Sequence, residues 1–272
     1  MDLADRMKLY ERAEAGRRLL PKLPICVRID GRSFSAYTKP LRRPFDERLS
    51  HLMIEVTREL TQHSGALVGY TQSDEITLVL YSDRLEREVF FNGKVQKLCS
   101  VLASMATAYF HAGNDIEELR DRPLAMFDAR VWNTPDLEEA ANVLLWRELD
   151  AIRNSIEAAA RAHFSHKECF KKNTDEMRAM LLEKGVDWED YPEFFRRGSY
   201  VLQRKVTREL TDEERGKIPE AHRPAPGTTF DRTVWDVVQL PLLRQVHNKA
   251  EMLFAGAEPI VGAEADDDSA ST

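Results

Sequence analysis

The chain has 272 residues, of which 43% are hydrophobic and 31% charged, and its formal net charge is −7. Those fractions fit a soluble globular protein with room for one large domain or two small ones, and the negative charge argues against a protein that coats nucleic acid indiscriminately, while leaving room for a local basic groove. No apolar run approaches the ~20 residues of a membrane span, the densely charged stretch Met1 to Arg18 is unlike a signal peptide, and the expectation is a cytoplasmic protein with no membrane partner.

Residues 1–22 alternate charge with Leu, Met and Tyr and predict a helix that Pro21 and Pro24 break. The β-branched run Ile25 to Asp30 predicts a buried strand that ends in a carboxylate and a glycine. After a loop to Arg43, Pro44 sits where a first helical turn would take it, Asp46 and Glu47 suit the positive end, and Leu49, Leu52, Met53, Val56 and Leu60 repeat at helical spacing, so a helix is expected over 44–63. Residues 66–71 and 75–81 read as two short strands joined through Gln72-Ser73-Asp74. Residues 90–110 predict a helix with Lys94 and Lys97 near its start, and 124–132 a fourth strand.

Beyond that point, 135–165 predicts a long helix whose Trp146, Leu149, Ile152 and Ile156 share an apolar face, with Arg147, Asp150, Arg153 and Asn154 between them. A solvated or salt-bridged face accounts for most of those charges. A helix over 174–183, an aromatic stretch 188–195 and a strand over 199–206 follow; 234–254 reads as a helix or irregular packing, and 256–272 as a disordered tail carrying Glu264 and Asp266 to Asp268. Cys26, Cys99 and Cys169 are widely spaced and lack a Cys-x-x-Cys pattern, so neither a disulfide framework nor a zinc site is indicated.

The order strand, helix, strand, strand, helix, strand is the split βαβ pattern of an α+β, ferredoxin-like (βαββαβ) domain. In that topology the first and third strands are antiparallel neighbours, so the end of the first, Asp30, lies beside the start of the third, Asp74 and Glu75. Asp30-Gly31 alone is also an ordinary turn signal. Two carboxylates brought together at one sheet edge repel each other unless a cation sits between them, and that is the arrangement of a polymerase-type palm. The domain organisation expected is a palm-like catalytic domain over 1–135, a mostly helical extension with a returning strand over 136–206, a C-terminal extension over 207–255, and the tail.

With Ile29-Asp30-Gly31-Arg32-Ser33-Phe34, Gly69-Tyr70-Thr71-Gln72-Ser73-Asp74-Glu75, Phe127-Asp128-Ala129-Arg130-Val131 and Trp146-Arg147 in this order, the chain resembles the tRNA-histidine guanylyltransferase family over about residues 1–206. The resemblance implies a palm that adds nucleotides to a tRNA 5′ end in the 3′-to-5′ direction, using ATP or GTP to activate a 5′-monophosphate, two Mg2+ ions, and a homotetramer built as a dimer of dimers. By position it implies that Asp30, the Gly31 carbonyl and Asp74 are metal ligands, that Glu75 is a further catalytic acid, and that the backbone of Gly31, Arg32, Ser33 and Phe34 cradles a triphosphate. Adjacent strand side chains point to opposite faces, which separates Glu75 from Asp74. Arg28, Arg43, Asp46 and Ser73 fall on positions around the nucleotide, Lys94 and Lys97 on the helix that meets the activating triphosphate, and Asn154 on the helix after Trp-Arg.

The guanylyltransferase branch carries His-Ile-Asn-Asn-Leu-Tyr-Asn on that helix, whereas here the stretch is Ile152-Arg153-Asn154-Ser155-Ile156-Glu157-Ala158. An aliphatic side chain makes none of an imidazole's hydrogen bonds, so the chain is more similar to the guanylyltransferase-like branch, which repairs truncated tRNA 5′ ends by template-dependent addition. The alternatives are dedicated addition of the extra 5′ G to histidine tRNA, a palm-fold nucleotidyl cyclase, and a non-catalytic RNA-binding module. His166, Lys167, Lys171, Lys172 and Arg196-Arg197 are the expected contacts to the tRNA backbone; a solvated face explains those charges equally well.

Overall fold

A computed structural model describes residues 1–84, 88–225 and 227–262. In chain order the elements are α1 (Leu3–Ala15), β1 (Ile25–Gly31), α2 (Phe34–Tyr37), α3 (Glu47–Ser64), β2 (Val68–Gln72), β3 (Glu75–Leu80), α4 (Val95–Gly113), β4 (Phe127–Asn133), α5 (Leu137–His163), α6 (His166–Cys169), α7 (Thr174–Glu183), α8 (Glu193–Arg197), β5 (Ser199–Glu209), α9 (Asp212–Gly216) and β6 (Thr229–Val238). The strands form one sheet in the order β4-β1-β3-β2-β5-β6. Every pairing in it is antiparallel. The first four strands with α3 and α4 make the expected ferredoxin-like α+β unit.

Alternation along β1 divides the core. Ile25, Val27 and Ile29 face α3 and α4 and pack with Met53, Val56, Leu60, Leu98 and Leu102, all buried; enclosing each such side chain stabilises the fold by roughly 1.5–3 kcal/mol. Cys26 faces the other way, with Val68 and Val79, against Ala140, Ala141 and Leu144 of α5. Within β1 only Arg28 and Asp30 are part-exposed. Both lie on the α5 face, and this gap in the cover is where the polar chemistry collects.

Several boundaries differ from the sequence reading. α1 stops at Ala15, because Gly16 and the charged residues after it give no apolar face to continue. Residues Phe90–Gly93 form a 3-10 turn with Phe91 and Asn92 at φ +50°, so α4 begins only at Val95. Pro44 precedes α3 across a cis peptide, and Asp46 is the N-cap. β6 pairs with β5 from Tyr200↔Val238 to Glu209↔Thr229, a two-stranded ribbon where the sequence suggests helix or irregular chain from 234. Of the expected disordered tail, 256–262 runs back against the chain, with Val261 bridged to Val246 and the His247 amide donating to the Ile260 carbonyl at 2.9 Å; 263–272 lie outside the described residues. Among the described residues no helix is long and apolar enough to cross a membrane.

Candidate active site

Register brings the carboxylates together. Asp30 lies directly opposite Glu75 of β3 and Asp128 of β4. Ser73 and Asp74 form the two-residue turn between β2 and β3, with Ser73 at φ +55°. The turn is pinned to β1 by the Gly31 amide, which donates to the Asp74 carbonyl at 3.2 Å. Ser73 Oγ donates to Asp74 Oδ1 at 3.1 Å.

Gly31 is needed here for space. A Cβ at that position would lie 2.4 Å from Cδ2 of Phe34 and 3.0 Å from Oδ2 of Asp74. The left-handed backbone of this loop falls on Ser33, at φ +53°. Of the expected phosphate cradle, the Gly31 and Arg32 amides are committed, to the carbonyls of Asp74 and Met126. That leaves the amides of Ser33 and Phe34, at the first turn of α2, where no preceding turn supplies acceptors. Phe34 as a whole is 4% exposed and packs its ring on Phe110 and Phe127.

Burial, and then the negative charge of Asp30, push the Asp74 carboxyl up to about 6. Glu75 is also raised, chiefly by burial, although Arg147 opposes the shift. Its carboxylate is held by that arginine: Nε donates to Oε1 at 2.6 Å and Nη2 to Oε2 at 3.0 Å. Arg28 Nε lies 4.0 Å from the same carboxylate, and its guanidinium sits 5.7 Å from the Trp146 ring centre. Glu75 therefore shares the face of Asp30 but carries its own cationic partner.

Asp30, Asp74 and Glu75 line a cavity of about 350 Å3 together with Arg147, Asp150 and Asn154 of α5, the loop residues Arg42, Arg43 and Asp46, Ser73, and an apolar wall of Leu49 and Phe195. Arg147 Nη2 donates to Asp150 Oδ2 at 2.7 Å, and Asn154 Nδ2 to the same oxygen at 3.3 Å. Asp46, 4% exposed, accepts from the Arg48 amide, Nε and Nη2 and the Arg42 amide, and Arg48 draws its carboxyl down to about 2. It caps α3 and lines the cavity.

Among the described residues no three His, Cys, Asp or Glu converge as a ready-made metal site. The donor set nonetheless suits Mg2+, which binds through one or two carboxylates and completes its shell with water and substrate phosphate. Asp30 and Asp74 supply two carboxylates whose mutual repulsion, among the described residues, no ion-paired cation relieves as Arg147 does for Glu75, and the Gly31 carbonyl lies between them in sequence.

Other expected site residues lie elsewhere. Lys94 and Lys97 line a different cavity, beside α1. Arg196 donates to the Tyr191 carbonyl and pairs with Glu189, and Arg197, with a side chain 13% exposed, pairs with Glu148 and Glu193 and donates to the Leu240 carbonyl. Both guanidinium groups are engaged by neighbours within the fold. Lys172 pairs with Glu176, Lys171 lies over the Phe170 ring, and Lys167 is exposed. Ile152, where the guanylyltransferase branch carries histidine, packs in the apolar cluster of Ile156 and Trp188 and does not line the cavity. Arg147 and Asp150, which the sequence presents as a salt-bridged helix face, form one wall; with Asn154 they sit at i, i+3 and i+7, the spacing of one helix face.

The family model described as tRNAHis guanylyltransferase matches residues 4–135. A bacterial tRNA(His) guanylyltransferase-like protein solved in complex with ATP superposes with a TM-score of 0.76 at 32% identity, covering 93% of this chain and 99% of its own. A bacterial tRNA(His) guanylyltransferase-like protein solved with GTP gives 0.68 at 32% identity, covering 89% and 93%. The tRNA(His) guanylyltransferase of Saccharomyces cerevisiae is 25% identical over 205 residues, covering 68% of this chain and 85% of the yeast protein.

Proposed function

The chain belongs to the tRNAHis guanylyltransferase family and is a nucleotidyltransferase of that kind, and from this premise we propose that it is a magnesium-dependent 3′-to-5′ enzyme of template-dependent tRNA 5′-end repair. The observation that carries the reading is the juxtaposition of Asp30 and Asp74, fixed by the Gly31 amide on the Asp74 carbonyl, in one cavity with Arg147 and Asn154. In the activation step an oxygen of the RNA 5′-monophosphate attacks the α-phosphorus of ATP or GTP and pyrophosphate leaves. In the transfer step the 3′-hydroxyl of the incoming nucleotide attacks the activated 5′-phosphate, and AMP or GMP leaves.

Two Mg2+ ions held by Asp30, Asp74 and the Gly31 carbonyl would neutralise phosphate charge in both steps. The chain's own contribution is positioning. The Ser33 and Phe34 amides receive phosphate oxygens, Ser73 orients Asp74, and Arg43, at the rim, draws the polyphosphate in. Arg147 keeps Glu75 from adding a third free negative charge to the site. Base selection is left to pairing with the opposite RNA strand, since Ile152 offers no hydrogen bond and is packed away from the cavity. The same reading has the enzyme work in the cytoplasm as a homotetramer, a dimer of dimers.

The test is incubation with Mg2+, ATP and the four nucleotides of a 5′-monophosphorylated tRNA transcript lacking its first nucleotide, beside an Asp74→Ala control. A transcript one residue longer, carrying the nucleotide that pairs with the opposite strand and absent in the control, is expected. No extension overturns the repair reading, extension by G alone whatever stands opposite favours dedicated histidine-tRNA addition, and a cyclic nucleotide formed without RNA means a cyclase.

A further inference from the structure

Tyr70 stands on β2 and reaches from the sheet to two helices at once. Its hydroxyl donates to the carbonyl of Arg197, the last residue of α8, at 2.8 Å and lies 3.5 Å from the Arg147 carbonyl of α5. A phenol has one proton, so the nearer carbonyl takes the larger share of it. The residue is 2% exposed, with its ring centre 4.8 Å from that of Tyr200. Burial, with the negative charges of Glu148 and Glu75 behind it, pushes the phenol well above its ordinary range, so the hydroxyl keeps its proton.

The two carbonyls belong to one closed circuit. Arg197 Nη1 donates to Glu148 Oε1 at 3.1 Å, and Glu148 follows Arg147 in α5. From the Tyr70 hydroxyl the path runs to the Arg197 backbone, along that side chain to Glu148, and back through one peptide to the Arg147 carbonyl. α5 is thereby tied to β2 at the residue whose side chain grips Glu75. Around this point α5 meets the sheet through Ala140, Ala141, Leu144 and Ala151. Apolar burial is non-directional and lets a helix roll or slide, whereas a guanidinium must be placed closely to hold both oxygens of a carboxylate.

Gly198 shows that the approach is built into the chain. It has φ +82°, and a Cβ there would lie 2.6 Å from the Tyr70 hydroxyl oxygen and 2.6 Å from the Thr71 carbonyl oxygen. Glycine supplies both that dihedral and that closeness. Thr77, opposite Tyr70 in register, gives the contrast: it is fully buried, and its Oγ1 has no hydrogen-bond partner among the described residues.

We infer that Tyr70 is a positioning residue for nucleotide transfer: its hydroxyl ties α5 to β2 and, through Arg147, holds the counter-charge of Glu75 in place beside Asp30 and Asp74. The inference rests on the reading of that site as the seat of nucleotide transfer. Tyr70 itself does not line the cavity, and it acts on the site through the arginine.

The experiment measures two things in the full chain: solvent exchange of the Arg147 Nε–H by NMR, the resonance being identified by its loss in Arg147→Met, and nucleotide transfer to a 5′-truncated tRNA transcript. Tyr70→Phe removes one oxygen and keeps the ring, and losing a hydrogen bond of ordinary strength is expected to make the Nε–H exchange about tenfold faster. The accompanying expectation is a kcat about tenfold lower, from misplacement of the arginine, with KM for the nucleotide nearly unchanged. Gly198→Ala should reproduce the faster exchange from the other side of the contact. Thr77→Val, which deletes an equally buried hydroxyl that makes no bond, should leave exchange and kcat at the wild-type values. On an Arg147→Met background Tyr70→Phe should change kcat no further.

A Tyr70→Phe chain with a lower urea midpoint but wild-type exchange and kcat overturns the inference, because the hydroxyl then serves stability alone. A loss of kcat that persists undiminished on the Arg147→Met background overturns it as well. If Tyr70→Phe does not fold, exchange in Gly198→Ala decides in the same way. Failure of the enzymatic reading shows separately, as a wild-type chain that transfers no nucleotide while Tyr70→Phe still speeds the Arg147 exchange.

Discussion

Arg147 grips both oxygens of Glu75, Nε on Oε1 at 2.6 Å and Nη2 on Oε2 at 3.0 Å, on the strand position directly opposite Asp30. Glu75 thus has a fixed counter-charge, whereas among the described residues neither Asp30 nor Asp74 forms an ion pair. Arg147→Ala leaves Glu75 with only the more distant Arg28, at 4.0 Å, and the expected cost is about 3 kcal/mol, read as a fall in the urea midpoint. Arg147→Met with Glu75→Gln removes the charge from both sides and is expected to recover most of that stability without recovering nucleotide transfer. If the single variant unfolds at the wild-type midpoint, the pair contributes nothing to the fold.

Asp74 should make the cation-free protein less stable at neutral pH. Its carboxyl lies at about 6 in the folded chain against an ordinary value of 3.8, so between those values the folded state binds more protons than the unfolded one. Stability therefore falls as pH rises through that window, and above it the whole penalty is present. Asp74→Asn is expected to raise stability at pH 7 by about 1 to 3 kcal/mol in chelator and to leave it nearly unchanged at pH 3.5. Mg2+ should raise the melting temperature of the wild type and have little effect on the variant. Equal melting temperatures in chelator at pH 7 would dispose of the prediction.

Gly31→Ala places a methyl group against the Phe34 ring and the Asp74 carboxylate. Overpacking of this kind costs about 1–3 kcal/mol. Nucleotide transfer is expected to fall at least ~100-fold, because the same shift moves both a carboxylate and the cradle. A variant with wild-type turnover would show that the loop relaxes without consequence.

Arg197 belongs to the interior. Glu148, fully buried, takes Arg197 on one oxygen and the Leu243 amide on the other at 2.8 Å, and Tyr70 donates to the Arg197 carbonyl at 2.8 Å. Arg197→Ala is expected to cost about 3–5 kcal/mol, measured by denaturation. At a temperature where the variant is folded, its tRNA affinity should match the wild type. Weaker tRNA binding with unchanged stability would mean that Arg197 contacts RNA.

The central four strands can be read from the chain because each is a short β-branched run bounded by turn residues, and the connection order leaves one antiparallel neighbour for β1. The meeting of Asp30 with Asp74 follows from that register. What Glu75 does is not legible: whether Arg147 faces solvent or a strand depends on the angle at which α5 crosses the sheet. β6 escapes the pattern since Thr229 to Val238 alternates charge and apolar side chains on a ribbon with little core behind it. Lys94 and Lys97 are legible as residues near a helix start, whereas the cavity they line is set by the backbone hydrogen bonds that join Gly93 and Val95 to Leu19 and Arg17.

Phe34 sits beneath the loop that carries Asp30's neighbours, its ring 5.3 Å from Tyr37 and 5.5 Å from both Phe110 and Phe127. A loop nailed to the hydrophobic interior by an aromatic cluster has no ensemble of open shapes to select from. If the loop is the phosphate cradle proposed above, an arriving polyphosphate meets donors already in place, and the ordering entropy that a floppy phosphate loop would lose at each turnover was lost once, when the chain folded. Association there should be quick and nearly free of conformational lag.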